Sequence, residues 1–311
     1  MKLRKLAALV LAGVMAMSMA ACSAASVEGE KPAAEGGAAE GTGSIGLSVS
    51  TLNNPFFVTL SEGAEAKAKE LGVELITVDA GDDSAKQASD IEDMISKNIS
   101  VLIVNPVDSD AVAPAVEDAI AKGIKVVAVD RVVNGVEVDC SIASDNVAGA
   151  KMAAEYLVQL AGEKAKTAEL EGVNGASATI DRGEGFHSVA DEKLTVVASQ
   201  TANFNRAEGM TVMENMLQAN PDIQCVFAHN DEMALGAIEA IGDKGIIVAG
   251  FDATDDAIAA VKEGKMAATV AQQPDLMGAT AVETAQKLMK GETVEKNLPV
   301  EVTLITKDNA E

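Results

Sequence analysis

Thirteen side chains that could bind a small ligand fall at or near the ends of predicted strands. They are Ser50, Asn54, Phe56, Phe57, Asn105, Asp130, Arg131, Arg182, Phe204, Asn230, Phe251, Asp252 and Gln272. Open α/β sheets place ligands at the carboxyl ends of their strands, so residues far apart in the chain can share one site. The set combines planar donors and acceptors with flat rings. That combination suits a neutral sugar ring, which has hydroxyl groups on its rim and C–H groups on its faces.

The uneven use of Phe and Arg supports this interpretation. The chain has six Phe and no Trp, and four of the six Phe are candidates, whereas Phe186 and Phe227 are predicted to lie in the core. Arg occurs at only four positions. Arg131 and Arg182 offer rigid forks of donors that fit adjacent hydroxyls, whereas Arg206 begins a predicted helix and is given a structural role.

Asp130 and Asp252 would accept hydrogen bonds from hydroxyl groups that the two arginines do not reach. The negative charges of the two carboxylates equal the positive charges of the two guanidinium groups. This equality again fits an uncharged ligand. The asparagines admit a second interpretation, since Asn commonly caps helices and forms turns beside Pro. Asn54 precedes Pro55 at a predicted helix start, so it is expected both to begin that helix and to face the ligand.

An alternation of short β-branched runs and longer helical stretches positions these residues. Predicted strands span 73–78, 101–104, 126–129, 167–170, 194–198, 223–227, 246–249 and 267–270. Predicted helices span 84–97, 109–122, 145–161 and 206–219, and the last two are the clearest. This order is typical of parallel sheets built from βαβ units. The length suits two domains, so we predict an α/β protein with two similar doubly wound domains.

The N-terminus indicates export. Residues 1–21 combine a basic start with an apolar segment and are predicted to be a signal peptide, too short to span a membrane. Small residues before Cys22 resemble a lipobox, which implies cleavage before Cys22 and diacylation of its thiol. An ordinary signal peptide with an incidental Cys is the alternative. Residues 22–43 are rich in Ala, Gly, Glu and Ser, which predicts a disordered tether after the lipidated Cys22.

Charge and motif content exclude several classes of function. The formal net charge is -24, which disfavours binding to nucleic acid. Cys140 and Cys225 are too few for a disulfide scaffold and are predicted to be buried thiols. His187 and His229 do not stand with a nucleophile in a recognisable pattern, and no phosphate-binding loop or metal-ligand spacing is present. We therefore expect no enzymatic activity, no cofactor and no metal.

Residues 44–307 resemble the ribose-binding proteins of bacterial ABC transporters, which have the periplasmic binding protein type I fold. The resemblance is carried by STLNNPFF (50–57), NPVDSDAV (105–112), DR (130–131), RGEGF (182–186), FAHNDEMALGA (227–237), GFDAT (250–254) and ATVAQQPD (268–275). It implies two Rossmann-like lobes joined by three hinge strands. The lobes would be 44–144 with 273–301, and 145–272 with 302–311, with crossings near Ser144, Gln273 and Glu301.

The resemblance also implies a function. We expect a lipoprotein on the outer face of the cytoplasmic membrane that closes on D-ribose and delivers it to an ABC permease with a separate ATPase chain. Another pentose, allose, galactose or a furanose signal such as autoinducer-2 is the alternative ligand. A chemoreceptor is a partner that the resemblance leaves open, and we expect a monomer that contacts the membrane only through its lipid. Sugar-responsive repressors share the core but begin with a helix-turn-helix, whereas the predicted signal peptide and lipobox stand there in this sequence, so we do not expect a transcriptional regulator.

Overall fold

The computed structural model describes residues 43–310, which form two six-stranded sheets. The first sheet has the order β11-β5-β4-β3-β1-β2 and contains β1 (Ser44–Val49), β2 (Glu74–Asp79), β3 (Val101–Val104), β4 (Lys125–Val129), β5 (Cys140–Ser144) and β11 (Asn297–Val300). The second has the order β12-β10-β9-β8-β6-β7 and contains β6 (Lys166–Glu171), β7 (Thr195–Thr201), β8 (Cys225–Ala228), β9 (Ile247–Asp252), β10 (Ala268–Ala271) and β12 (Thr303–Thr306). Strand pairs are parallel except at β12, which runs antiparallel to β10.

Helices cover both faces of each sheet. Those that pack with the first sheet are α1 (Pro55–Leu71), α2 (Ser84–Ser96), α3 (Ala113–Ala121) and α9 (Pro274–Met289). Those that pack with the second are α4 (Asn146–Ala161), α5 (Ser177–Lys193), α6 (Arg206–Ala219), α7 (Asp231–Ile241) and α8 (Asp255–Glu263). Each sheet thus has an apolar core on either side, as in β3, where all four residues are buried. The predicted doubly wound α/β fold is confirmed.

The chain passes between the two sheets three times. It leaves the first sheet after β5 and enters α4, which packs on the second. It leaves the second sheet after β10 and enters α9, which packs against α1 in the core of the first. The last passage lies between β11 and β12, which belong to different sheets. Each sheet and its helices therefore form one lobe, and three short segments connect the lobes.

Several element boundaries differ from the sequence prediction. The third helix begins at Ala113 rather than residue 109, because the Asp108 side chain accepts hydrogen bonds from the backbone N–H groups of Asp110 and Ala111 and holds them in a separate turn. Strands β5, β11 and β12, of four or five residues each, were not predicted. Cys140 and Cys225 are buried free thiols, as predicted.

The predicted signal peptide, the tether up to residue 42 and the lipidation site at Cys22 lie outside the described residues. Within residues 43–310, no helix combines the length and the apolar character needed to cross a membrane.

Candidate functional site

The carboxyl ends of β1, β3 and β4 bring three candidates of the first lobe together. The Asn105 side chain accepts from the backbone N–H of Ser50 at 3.0 Å and donates to the Asp130 carboxylate at 3.0 Å. It also donates to the carbonyl of Val129 at 3.3 Å. These three hydrogen bonds fix the Asn105 side chain against Ser50, Val129 and Asp130. Both Ser50 and Asn105 are completely buried. Asn105 acts in this site by holding Asp130 in place.

The start of α1 supplies the aromatic wall of the first lobe. Asn54 caps the helix, since its side chain accepts from the backbone N–H of Phe56 at 2.9 Å, and Pro55 occupies the first helical turn. The predicted helix start is therefore confirmed. The rings of Phe56 and Phe57 meet edge to face at 5.1 Å between centroids. Both rings pack in the apolar core under α1 and also line the cleft. Packing in the core therefore fixes their positions in the cleft wall.

Arg182 lies within α5 rather than near a strand end as predicted, and several groups of the second lobe hold it. Its Nε donates to the Asn146 side chain at 2.9 Å, and its Nη1 donates to the carbonyl of His229 at 2.6 Å. The guanidinium lies 3.9 Å from the ring centroid of Phe251, which is fully buried beneath it. Asp252 follows at the end of β9, with 3.8 Å between its carboxylate and Nη1. Phe251 thus acts as a support for Arg182.

Amide groups complete the rim. Gln272 donates to the Asp252 carboxylate at 2.7 Å, and its Oε1 has no partner among the described residues. Asn230 caps α7 through its Oδ1, and its Nδ2 donates to the carbonyl of Phe204 at 3.3 Å. The amide oxygen of Gln272 therefore remains available to a ligand.

These side chains surround one small, largely filled cavity between the two lobes. Its lining consists of Asn54, Phe56, Phe57, Asp130, Arg131, Ala178, Arg182, Phe204, Asn230, Asp252 and Gln272. Ten of the thirteen candidates line it. Asn105 and Phe251 lie behind Asp130 and Arg182, which they support, and Ser50 lies outside the lining. Ala178, in the first turn of α5, was missed because a methyl group carries no signal of binding in sequence.

Phe204 joins the two halves of the cavity. Although it belongs to the second lobe, its ring centroid lies 5.3 Å from the guanidinium of Arg131 and 5.8 Å from that of Arg182. Phe204 has a positive φ of 58°, a conformation that costs non-glycine residues of order 1 kcal/mol or more. Gly172 permits this arrangement, because a Cβ there would lie 2.0 Å from the ring. Among the described residues the Nε of Arg131 makes no hydrogen bond, although it lies 3.6 Å from the Asp130 carboxylate, so its N–H can still donate to a ligand.

The charged groups of the cavity are almost completely withdrawn from solvent. Burial raises the pKa of Asp130 and of Asp252, and the neighbouring arginines oppose that rise. Burial lowers the pKa of Arg131 and Arg182, which the two carboxylates oppose. Two cationic and two anionic groups thus stabilise one another in a low-dielectric cavity. The arrangement offers both donors and acceptors to an uncharged, hydroxyl-rich ligand.

The lobes also touch directly beside the cavity. Ser109 of the first lobe donates its backbone N–H to the carbonyl of Gly175 at 2.8 Å and accepts from the N–H of Ser177 at 3.2 Å. The Ser177 hydroxyl accepts from the N–H of Val132 at 3.1 Å. Three hydrogen bonds therefore connect the lobes beside the cavity, through Ser177 and Val132, which are next in the chain to the lining residues Ala178 and Arg131.

Residues 45–293 match the model of a family described as periplasmic binding protein domain. The chain belongs to this family. It is 50% identical to the ribose import binding protein of Bacillus subtilis strain 168 over 93% of this chain and 94% of the relative. It is 48% identical to the ribose import binding protein of Escherichia coli K12, over 85% of this chain and 90% of the relative.

Solved structures of ABC transporter solute-binding proteins are similar to this chain in both sequence and fold. An ABC transporter solute-binding protein from Bacillus halodurans with bound myo-inositol is 35% identical, with a TM-score of 0.83 over 88% of this chain and 97% of that one. One from Actinobacillus succinogenes with bound D-allose is 32% identical, with a TM-score of 0.79 over 86% and 99%. Family membership implies a location outside the cytoplasm. These relatives are solute-binding proteins rather than enzymes.

The two histidines form a polar cluster behind the cavity of this periplasmic binding protein. His229 is buried, and its Nε2 lies 3.0 Å from the Glu169 carboxylate. His187 on α5 is partly exposed, and its two ring nitrogens lie 3.1 Å from Glu169 and 2.7 Å from Asp191. Among residues 43–310, no group of His, Cys, Asp and Glu has the geometry of a metal site. Sequence reasoning placed both histidines outside the binding site and missed their connection to it.

We expect protonation of His187 to stabilise the fold. Partial burial lowers its pKa, but hydrogen bonds and charge from Asp191 and Glu169 outweigh burial and raise it above 6.5. The contribution is therefore complete below the unfolded pKa of about 6.5 and is lost as pH rises through the raised value. Melting temperatures measured from about pH 6 to about pH 9 should fall with a slope that His187→Gln reduces. An unchanged slope in that variant would contradict this assignment.

Proposed function

We propose that this chain is the substrate-binding lipoprotein of an ABC importer and that its ligand is D-ribose. The observation that carries the proposal is the interlobe cavity, where two arginines, two aspartates, three amides and three phenylalanines converge. High identity to two ribose import binding proteins over most of the chain supports ribose in particular.

Binding would proceed by closure of the lobes 44–144 with 273–301 and 145–272 with 302–311. The rotation would occur at the three crossings, near Ser144, Gln273 and Glu301. Each lobe contributes part of the cavity, so the sugar touches both lobes only when they are closed and stabilises that state. The closed form would then dock on a permease whose ATPase is a separate chain.

Membrane attachment is proposed to depend on Cys22. Two acyl chains on that residue would hold the protein on the outer face of the cytoplasmic membrane and raise its effective concentration near the permease. Fractionation of cells that express Cys22→Ala tests this. The variant should leave the membrane fraction, and retention there would refute a lipid anchor at Cys22.

Melting temperatures measured with separate sugars test the ligand. A ligand that binds only the folded state raises the melting temperature according to its concentration and affinity. D-Ribose should give the largest increase in a panel with allose, galactose, xylose and arabinose. The D-allose complex of a structural neighbour makes allose the main alternative. A larger increase with allose would retain the importer and replace the ligand.

A further inference from the structure

Glu169 is a buried charge in the middle of the second sheet. It lies on β6 between β7 and β8, where its register partners are Ser199 and Phe227. Its exposed fraction is 0%, and it contributes nothing to the lining of the sugar cavity. Burial of a carboxylate is strongly unfavourable unless hydrogen bonds and charges compensate it. A polar role must therefore explain its presence there.

Three hydrogen bonds compensate this charge. One carboxylate oxygen accepts from His229, and the other lies 3.1 Å from Nε2 of His187 and accepts from the Ser199 hydroxyl at 2.8 Å. Burial alone would raise the pKa of Glu169, but the bond from His229 and the other contacts hold it below its usual value. Burial lowers the pKa of His229, so the imidazole is neutral, and the carboxylate fixes its single proton on Nε2.

The two histidines that contact Glu169 are also connected to Arg182. The carbonyl of His229 accepts from Arg182 Nη1 at 2.6 Å, while the imidazole of the same residue donates to Glu169. His187 belongs to α5, the helix that carries Arg182. Glu169 therefore connects to Arg182 twice, through the end of β8 and through the helix. Asn230, next after His229, lines the cavity.

We propose that Glu169 is a positioning residue for sugar binding, which holds His229 and His187 so that the Arg182 guanidinium faces the cavity. The inference deepens the proposed function and rests on it. Removal of the negative charge should loosen the His229 carbonyl and α5 together. Affinity should then fall although every residue that touches the sugar is retained.

Glu169→Gln tests the proposal by isothermal titration with D-ribose beside a melting curve. We expect about tenfold weaker binding, the size of effect common for residues in one hydrogen-bonded network. Thr167→Val is the matched control. Thr167 is also buried on β6, two residues away, and bonds to the Ala165 carbonyl and the Cys225 sulfur. This control should lower stability and leave affinity unchanged.

A double-mutant cycle separates positioning from general destabilisation. In an Arg182→Lys background, Glu169→Gln should cost little further affinity while it still lowers the melting temperature. If Glu169→Gln does not fold, His229→Leu and His229→Gln replace it, because Gln retains an N–H donor for Glu169 and Leu does not. His229→Leu should then weaken binding about tenfold and His229→Gln should restore it.

Two results would overturn the proposal. One is wild-type affinity in folded Glu169→Gln or His229→Leu. The other is that Glu169→Gln lowers affinity by the same factor in the Arg182→Lys background as in the wild-type background. A wild-type protein that ignores D-ribose but binds another sugar of the panel overturns the ribose assignment alone. The cycle is then measured with that sugar, and the same two results decide the role of Glu169.

Discussion

Arg182→Ala should weaken sugar binding by about 2 to 4 kcal/mol, which is roughly 30-fold to 900-fold in the dissociation constant. The substitution removes charge-assisted donors from the cavity. It also leaves the Asn146 side chain and the His229 carbonyl without their present donor. Asp252, itself buried, loses the cation that opposes the rise in its pKa. Isothermal titration with D-ribose measures the loss directly.

Arg206→Ala is the control for this experiment. Arg206 also belongs to the second lobe, as the first residue of α6. Its guanidinium pairs with Glu232 and Asp256 at 2.6 and 2.8 Å, outside the sugar cavity. Partly exposed ion pairs contribute little to stability, so this variant should bind the sugar almost normally. Near wild-type affinity in folded Arg182→Ala would remove Arg182 from the binding site.

Gly175→Ala should weaken binding by obstructing closure. A Cβ at this position would lie 1.8 Å from Oδ2 of Asp108 across the lobe boundary. Asp108 cannot move freely, because its other oxygen accepts from the N–H groups of Asp110 and Ala111. Overpacking of this kind typically costs about 1 to 3 kcal/mol. Since the clash exists only where the lobes meet, we expect weaker affinity for D-ribose with little change in the melting temperature of the ligand-free protein.

Asp108→Ala provides the complementary test for Gly175. With the carboxylate removed, the added methyl group has space, so the double variant should recover most of the affinity that Gly175→Ala loses. Unchanged affinity in Gly175→Ala alone would mean that the lobes bind sugar without approaching as closely as they do here. A large drop in ligand-free melting temperature would instead place the clash within one lobe.

Much of the site could be predicted because its residue types are scarce elsewhere in the chain. Arg131 and Arg182 stand out in a protein that otherwise uses Lys, and Phe57 and Phe204 stand out among aliphatic residues. Strand ends could be located from β-branched runs, and parallel strands bring those ends to one edge. Proximity along the edge therefore followed from the pattern.

Side-chain direction could not be predicted in the same way. Asn105 and Phe251 follow the same strand-end rule as Asp130, yet they support cavity residues instead of lining the cavity. Glu169 was overlooked because a Glu in a strand is normally exposed. Its burial depends on His229 and His187, which are 60 and 18 residues away along the chain. Such long-range pairing has no local pattern in sequence.

The most direct measurement is isothermal titration of the protein without residues 1–43 against D-ribose, with allose, galactose, xylose and arabinose titrated in parallel. Tight one-to-one binding of D-ribose, with the other sugars much weaker, is the result that this account predicts. No heat with D-ribose and saturable binding of another sugar would contradict the ligand assignment, and no binding of any sugar would contradict the cavity as a sugar site.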